Sequence, residues 1–125
     1  MNTTTARRIP SQIRLDEAAR LAGVTTNRLT GAWRQAKLVA PWSGVISTTD
    51  LVRAVVAAHL QRIFGEQSGV GLSITRAASE PTLNALLNGT TNTLVVDVSG
   101  AVFHVEFPST TFAEIREELL AVAGW

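Results

Sequence analysis

The sequence predicts a mainly α protein with one small β-hairpin, an α+β class, and three observations carry that reading. Apolar residues recur at three- and four-residue spacing in several separate stretches, each opened or closed by a capping residue. One segment, TLVVDVSGAVFHVEF at residues 93–107, alternates apolar and polar residues about a Ser-Gly turn instead. The chain has 125 residues, 46% of them hydrophobic, and so has the size and apolar content of one packed domain or of a small domain with an attached subdomain.

Residues 1–12 are Thr-rich and aperiodic, which predicts a flexible arm, with order beginning near Ile13. Asp16 to Ala22 reads as a short helix with acidic residues in its first turn and Gly23 as its stop. Thr25 or Thr26 then caps a second helix running to Lys37 or Leu38, with Leu29 and Trp33 four apart on its buried face. Gly31 lies in the middle of that helix, where glycine costs about 1 kcal/mol relative to alanine. Two roles suit it, close approach of a phosphate backbone or packing of the following connector.

The connector VAPWSGVIS, residues 39–47, has the Pro and Ser-Gly signals of a tiny hairpin or wing. Ser47 and Asp50 have capping-box spacing ahead of a long third helix, with Leu51, Val55, Ala58 and Phe64 as its buried stripe, widened by Val52, Val56, Leu60 and Ile63. GEQSGVG, residues 65–71, reads as a linker and subdomain boundary. Beyond it come one or two short helices, the second with Pro81 in its first turn and Gly89 past its end. The hairpin follows, with Leu94, Val96 and Val98 paired to Val105, Phe103 and Ala101 on one face, and Asp97, His104 and Glu106 on the other. A last amphipathic helix starts at a Thr111/Glu114 capping box and carries the stripe Phe112, Ile115, Leu119 and Val122. The expected organisation is an arm (1–12), an N-terminal unit (13–64), a linker (65–71) and a C-terminal helix, hairpin and helix (72–125).

Charge divides the chain. Residues 1–62 carry nine basic and three acidic side chains, a balance of +6, and residues 63–125 carry two and seven, a balance of −5. A basic half that meets a polyanion and an acidic half turned to solvent, a partner chain or another copy explains this, although chance placement on an ordinary surface gives the same numbers. With no cysteine and two histidines, neither a disulfide framework nor a zinc site is expected. No apolar run suits a membrane span or a signal peptide, so the expected location is cytoplasmic. Nucleophile elbow, P-loop and dinucleotide fingerprint are all missing, and the expectation is a protein without catalytic residues or cofactor. His59 is expected as a packed or edge histidine, and His104 on the solvent face of its strand.

Two short helices joined by a Gly-containing turn, the second rich in Thr, Asn and Arg, match a helix-turn-helix that reads a DNA major groove. Arg28 suits a guanine edge and Asn27 an adenine edge, while Thr25, Thr26 and Thr30 suit phosphates or thymine methyls. Arg34 and Lys37 suit phosphates, which add affinity and salt dependence without sequence preference. Trp42 and Ser43 of the connector are placed to meet the DNA backbone, and Arg7 and Arg8 to enter a minor groove. Trp33 is expected to anchor the helix pair in the core.

The order LDEAARLAGV, Leu29, Trp33, Lys37-Leu38, a short turn and STTDLVRAVVAAHLQRI resembles the MerR-type winged helix-turn-helix and its excisionase relatives. In that family an A-x-x-x-G-V-[ST]-x-x-x-L segment precedes a wing and a helix beginning [ST]-x-x-D-L. The likeness covers residues 13–64 and implies that Thr25, Thr26, Asn27, Arg28 and Thr30 open a recognition helix. Three departures stand out: Thr30, Gly31 and Ala32 where an aromatic pair is usual, a connector without a basic residue, and no metal-sensing cysteine. The spacing from Leu29 to Leu38 is closer to the excisionase type. A looser likeness, over residues 72–107, is to MerR-like regulators encoded with toxins.

A lone two-stranded hairpin is marginally stable, so residues 90–125 are expected to pack on helices or to mediate self-association or partner binding, with Trp125 and the last helix's stripe as candidates. The function so predicted is a sequence-specific DNA-binding regulator, a repressor acting as a homodimer on double-stranded operator DNA. Two alternatives are an antitoxin that neutralises a protein partner through its C-terminal half, and an excisionase-like factor that bends DNA.

Overall fold

The computed structural model describes residues 8–123. Its elements follow the order β1 (Gln12–Arg14), α1 (Leu15–Ala22), α2 (Thr26–Thr30), α3 (Ala32–Gln35), β2 (Val45–Ser47), α4 (Thr48–Phe64), α5 (Val70–Ala77), α6 (Glu80–Asn88), β3 (Thr93–Val98), β4 (Ala101–Glu106) and α7 (Ser109–Ala123), with a 3-10 turn at Glu66–Ser68. Mainly helical with two separate two-stranded antiparallel sheets, the described chain has the α+β composition that its periodicities predict.

The first sheet ties the chain's start to α4. β1 pairs with β2, placing buried Ile13 opposite buried Ile46. Just before it, the Ser11 carbonyl accepts the Thr48 N–H at 2.9 Å, and the Thr48 hydroxyl donates to the Pro10 carbonyl. Ile9 is partly buried against the core. Residues 9–12 are therefore docked rather than a flexible arm, because the first turn of α4 offers donors that their carbonyls satisfy. Residues 1–7 of the expected arm lie outside the described residues.

α4 is the axis of the fold. Ser47 caps it by accepting the Asp50 N–H at 3.0 Å, and between Leu51 and Leu60 only Arg53 and His59 are not buried. Its last turn differs from the expected stripe, since Ile63 is 57% and Phe64 37% exposed. α5 crosses α4 so closely that a Cβ on Gly71 would lie 3.1 Å from the Leu60 Cβ. The glycine expected to loosen a linker thus serves helix-to-helix contact. A single buried cluster runs from Ile13 through Ile74 to Leu119 and so spans the stretch read as a linker, in which residues 66–68 form a 3-10 turn and Val70 and Gly71 already open α5.

The hairpin has the register read from its alternation, with Leu94 opposite Val105, Val96 opposite Phe103 and Val98 opposite Ala101. Ser99 (φ 54°) and Gly100 (φ 88°) both take the left-handed conformation that a tight hairpin turn of this twist requires. Leu94, Val96 and Val105 are buried, while Val95 and Val102 stand 48% and 57% exposed on the outer face.

α7 begins at Ser109, three residues before a helix capped at Thr111 would start, and the Pro108 carbonyl already accepts the Thr111 N–H at 3.0 Å. Phe112, Ile115 and Leu119 are buried in the chain's own core, but Val122 is 40% exposed. The Arg116 guanidinium donates to the Leu87 carbonyl at 2.7 Å and closes the end of α6. The stripe expected to serve an interface is thus spent within the chain, and Trp125 lies outside the described residues.

Candidate nucleic-acid interface

The surface with the most candidate residues is built on α2, α3 and the connector after them. Gly23, at φ 71°, ends α1, and the Val24 N–H returns to the Ala19 carbonyl at 3.0 Å. Thr25 then opens α2 by accepting the Arg28 N–H on its hydroxyl at 3.1 Å. That oxygen serves as a cap, although its O–H remains available to donate.

The expected single helix over 25–38 is two. The ladder runs to Gly31, whose N–H donates to the Asn27 carbonyl at 2.8 Å, and resumes with Gln35 and Ala36 donating to Gly31 and Ala32. Gly31 itself has φ −105° and ψ −98°, so the axis breaks there. A Cβ at that position would lie 2.7 Å from the Asn27 carbonyl oxygen. Glycine is therefore needed for the break itself, and neither a phosphate nor the connector has to be invoked.

Leu29 and Trp33, on either side of the break, are buried as expected. Thr26, Asn27 and Thr30 of α2 are exposed, and the Thr30 hydroxyl donates to the Thr26 carbonyl at 3.0 Å. Arg28 turns away from them. Its guanidinium pairs with Glu66 at 2.6 Å and lies over the Trp33 ring, 5.8 Å from the centroid. The linear sequence does not place this carboxylate, just beyond α4, beside α2; in the DNA-free chain it holds the half-exposed Arg28 guanidinium away from the α2 strip.

Arg34, Lys37 and Trp42 line an open cleft of about 780 Å³ that also takes in Arg53 of α4 and Arg76 of α5. Lys37, with φ 59°, ends α3 in the left-handed conformation. Trp42 is 77% exposed. It sits on a tight turn in which Trp42 and Val45 exchange two backbone hydrogen bonds, at 2.9 and 3.0 Å, around Ser43 (φ 52°) and Gly44 (φ 78°). Asp50 braces this turn by accepting the Ala40 N–H at 2.9 Å.

Arg53 is not free to bind. Its guanidinium donates to the Thr75 and Ala78 carbonyls at 3.2 and 3.1 Å, which fixes the end of α5 and with it Arg76. Among the described residues, Arg34, Lys37 and Arg76 have no carboxylate within 4.0 Å. Linear reasoning missed Arg53 and Arg76, since only the packing of α5 on α4 brings them to the cleft. Ser43 and Arg8 are exposed, and Arg7 lies outside the described residues.

His59 packs its ring 4.7 Å from that of Phe107. Burial, reinforced by the Arg62 charge, lowers its pKa below the ordinary histidine value. Among the described residues no helix is long and apolar enough to cross a membrane. No protein family, curated protein or solved structure matches the chain.

Proposed function

We propose that this chain is a double-stranded DNA-binding regulator, a non-enzymatic repressor of the winged helix-turn-helix type that acts as a homodimer. The observation that carries the reading is the sequence of surfaces along residues 26–42. An exposed polar strip of Thr26, Asn27 and Thr30 is followed by Arg34 and Lys37, which have no carboxylate partner among the described residues, and by the Trp42 turn. The strip supplies groups that read base edges, and the cations supply phosphate contacts. The reading takes α1 with α2 and α3 as the helix pair, the Trp42 turn as a short wing and α4 as the supporting helix, in the chain order α1, α2, α3, Trp42 turn, β2, α4. For self-association, the outer hairpin face with Val95 and Val102 is favoured over α7, whose stripe is already covered.

The test is duplex binding across a salt series. The affinity should fall steeply with salt, and Lys37→Gln should lower the log–log slope by about one. Absence of duplex binding at low salt refutes the reading.

A further inference from the structure

We infer that the cleft between α3, the Trp42 turn and α5 is a nucleotide site, which takes a phosphate among Arg34, Lys37 and Arg76 and an unstacked base on Trp42. This goes beyond duplex reading, because a base inside a duplex has no free face to offer an indole.

Three observations support it. First, the cations come from two separately fixed elements. Arg34 lies in α3, Lys37 is held by the left-handed end of that helix, and Arg76 is held by the Arg53 bonds at the end of α5. Like charges lining one cleft repel, and Asp50, the single carboxylate lining it, accepts the Ala40 N–H and lies 3.9 Å from the Arg53 guanidinium, which leaves Arg34, Lys37 and Arg76 without a carboxylate partner among the described residues. An anion relieves that repulsion.

Second, the largest aromatic side chain is 77% exposed on a turn closed by two hydrogen bonds. The other tryptophan among the described residues, Trp33, is 2% exposed, so the fold can bury indoles where it has use for them. An indole presented on a braced turn loses little freedom when a ring stacks on it.

Third, the cleft is about 780 Å³, within the range of small-ligand sites, and it joins the indole to the cations in one open groove. A cationic track beside an aromatic platform is the general arrangement for single-stranded nucleic acid, and one unit of it suits a free nucleotide equally well. The shared chemistry is a phosphate ester one sugar away from a base.

The experiment uses the full chain and fluorescence anisotropy of a labelled short oligothymidylate at low salt, with thymidine monophosphate and inorganic phosphate as competitors. Saturable binding is expected, weakened about tenfold or more by Trp42→Ala and several-fold by Arg76→Gln. Both side chains are exposed, and unchanged thermal melting of the variants separates lost binding from lost folding. If the oligonucleotide binds much more tightly than the monophosphate, a DNA strand is the occupant. Equal binding of the two makes the free nucleotide the occupant, and both results support the site. Binding that Trp42→Ala leaves unchanged, or competition by inorganic phosphate as strong as by the monophosphate, overturns it. Failure here is distinct from failure of the proposed function. Duplex selection sensitive to Asn27→Ala with no oligonucleotide binding removes only the nucleotide site, and the reverse removes only the duplex reading.

Discussion

Replacing Gly31 by alanine separates two physical accounts of the helix that carries the candidate site. Taken as a helix interior position, Gly31→Ala stabilises by roughly 0.4–1 kcal/mol through the unfolded chain and helix propensity. The structure opposes that gain, because the new Cβ would stand 2.7 Å from the Asn27 carbonyl oxygen. This atom is backbone and cannot swing aside. It is also the acceptor for the Gly31 N–H at 2.8 Å, so a shift that relieves the clash stretches that bond. Overpacking of this kind costs about 1–3 kcal/mol and the weakened bond up to about 1 kcal/mol more, so that against the propensity gain the net loss centres near about 2 kcal/mol, within a range of about 0–3.5 kcal/mol. For a chain of this size the melting temperature should fall by roughly 4–8 °C. Thermal unfolding followed by far-ultraviolet circular dichroism measures it. A variant as stable as the parent or more so refutes the break at Gly31.

Much of the fold is legible in linear order. The hairpin register, the Ser47 cap, the Gly23 and Gly89 stops and the burial of Trp33 all follow from local patterns whose partners lie within a few residues. What could not be read depends on distant segments meeting. Glu66 reaches Arg28 across the sequence, Arg76 joins Arg34 at the cleft only because α5 packs on α4, and Thr48 fixes Pro10 and Ser11. Gly71 carries the same lesson, since glycine in a polar run signals flexibility locally and close helix packing once Leu60 is beside it. Gly31 stands out in the sequence as a glycine inside a helical stretch, but its cause, the Asn27 carbonyl one turn earlier, becomes visible only with the backbone in place.

Further outcomes follow from individual side chains. Lys37→Gly should raise stability by about 1 kcal/mol by relieving a left-handed non-glycine residue, yet weaken polyanion binding, and denaturant midpoints with duplex titrations check both. His59 is favoured in its neutral form by burial, so its contribution is fully present above the unfolded-state value of about 6.5 and lost as pH falls through the lower folded-state value. Urea midpoints from about pH 8 to about pH 5 should therefore decline less in His59→Gln than in the parent, and equal declines contradict the assignment. Leu119→Ala should cost about 2–5 kcal/mol and Val122→Ala less than about 0.5 kcal/mol, because the first is buried and the second is 40% exposed. Comparable losses would mean that the end of α7 is covered by a second chain.

The exposed strip of α2 is most directly tested by selecting binding sites from random duplex DNA with the parent, Asn27→Ala and Arg28→Ala. The expected result is one enriched sequence, relaxed at a single base position by Asn27→Ala. Arg28→Ala should leave base preference intact, since its guanidinium is paired with Glu66 and stacked on Trp33. No enriched sequence at moderate salt, or one that Asn27→Ala leaves unchanged at every position, contradicts the assignment of α2 as the reading element.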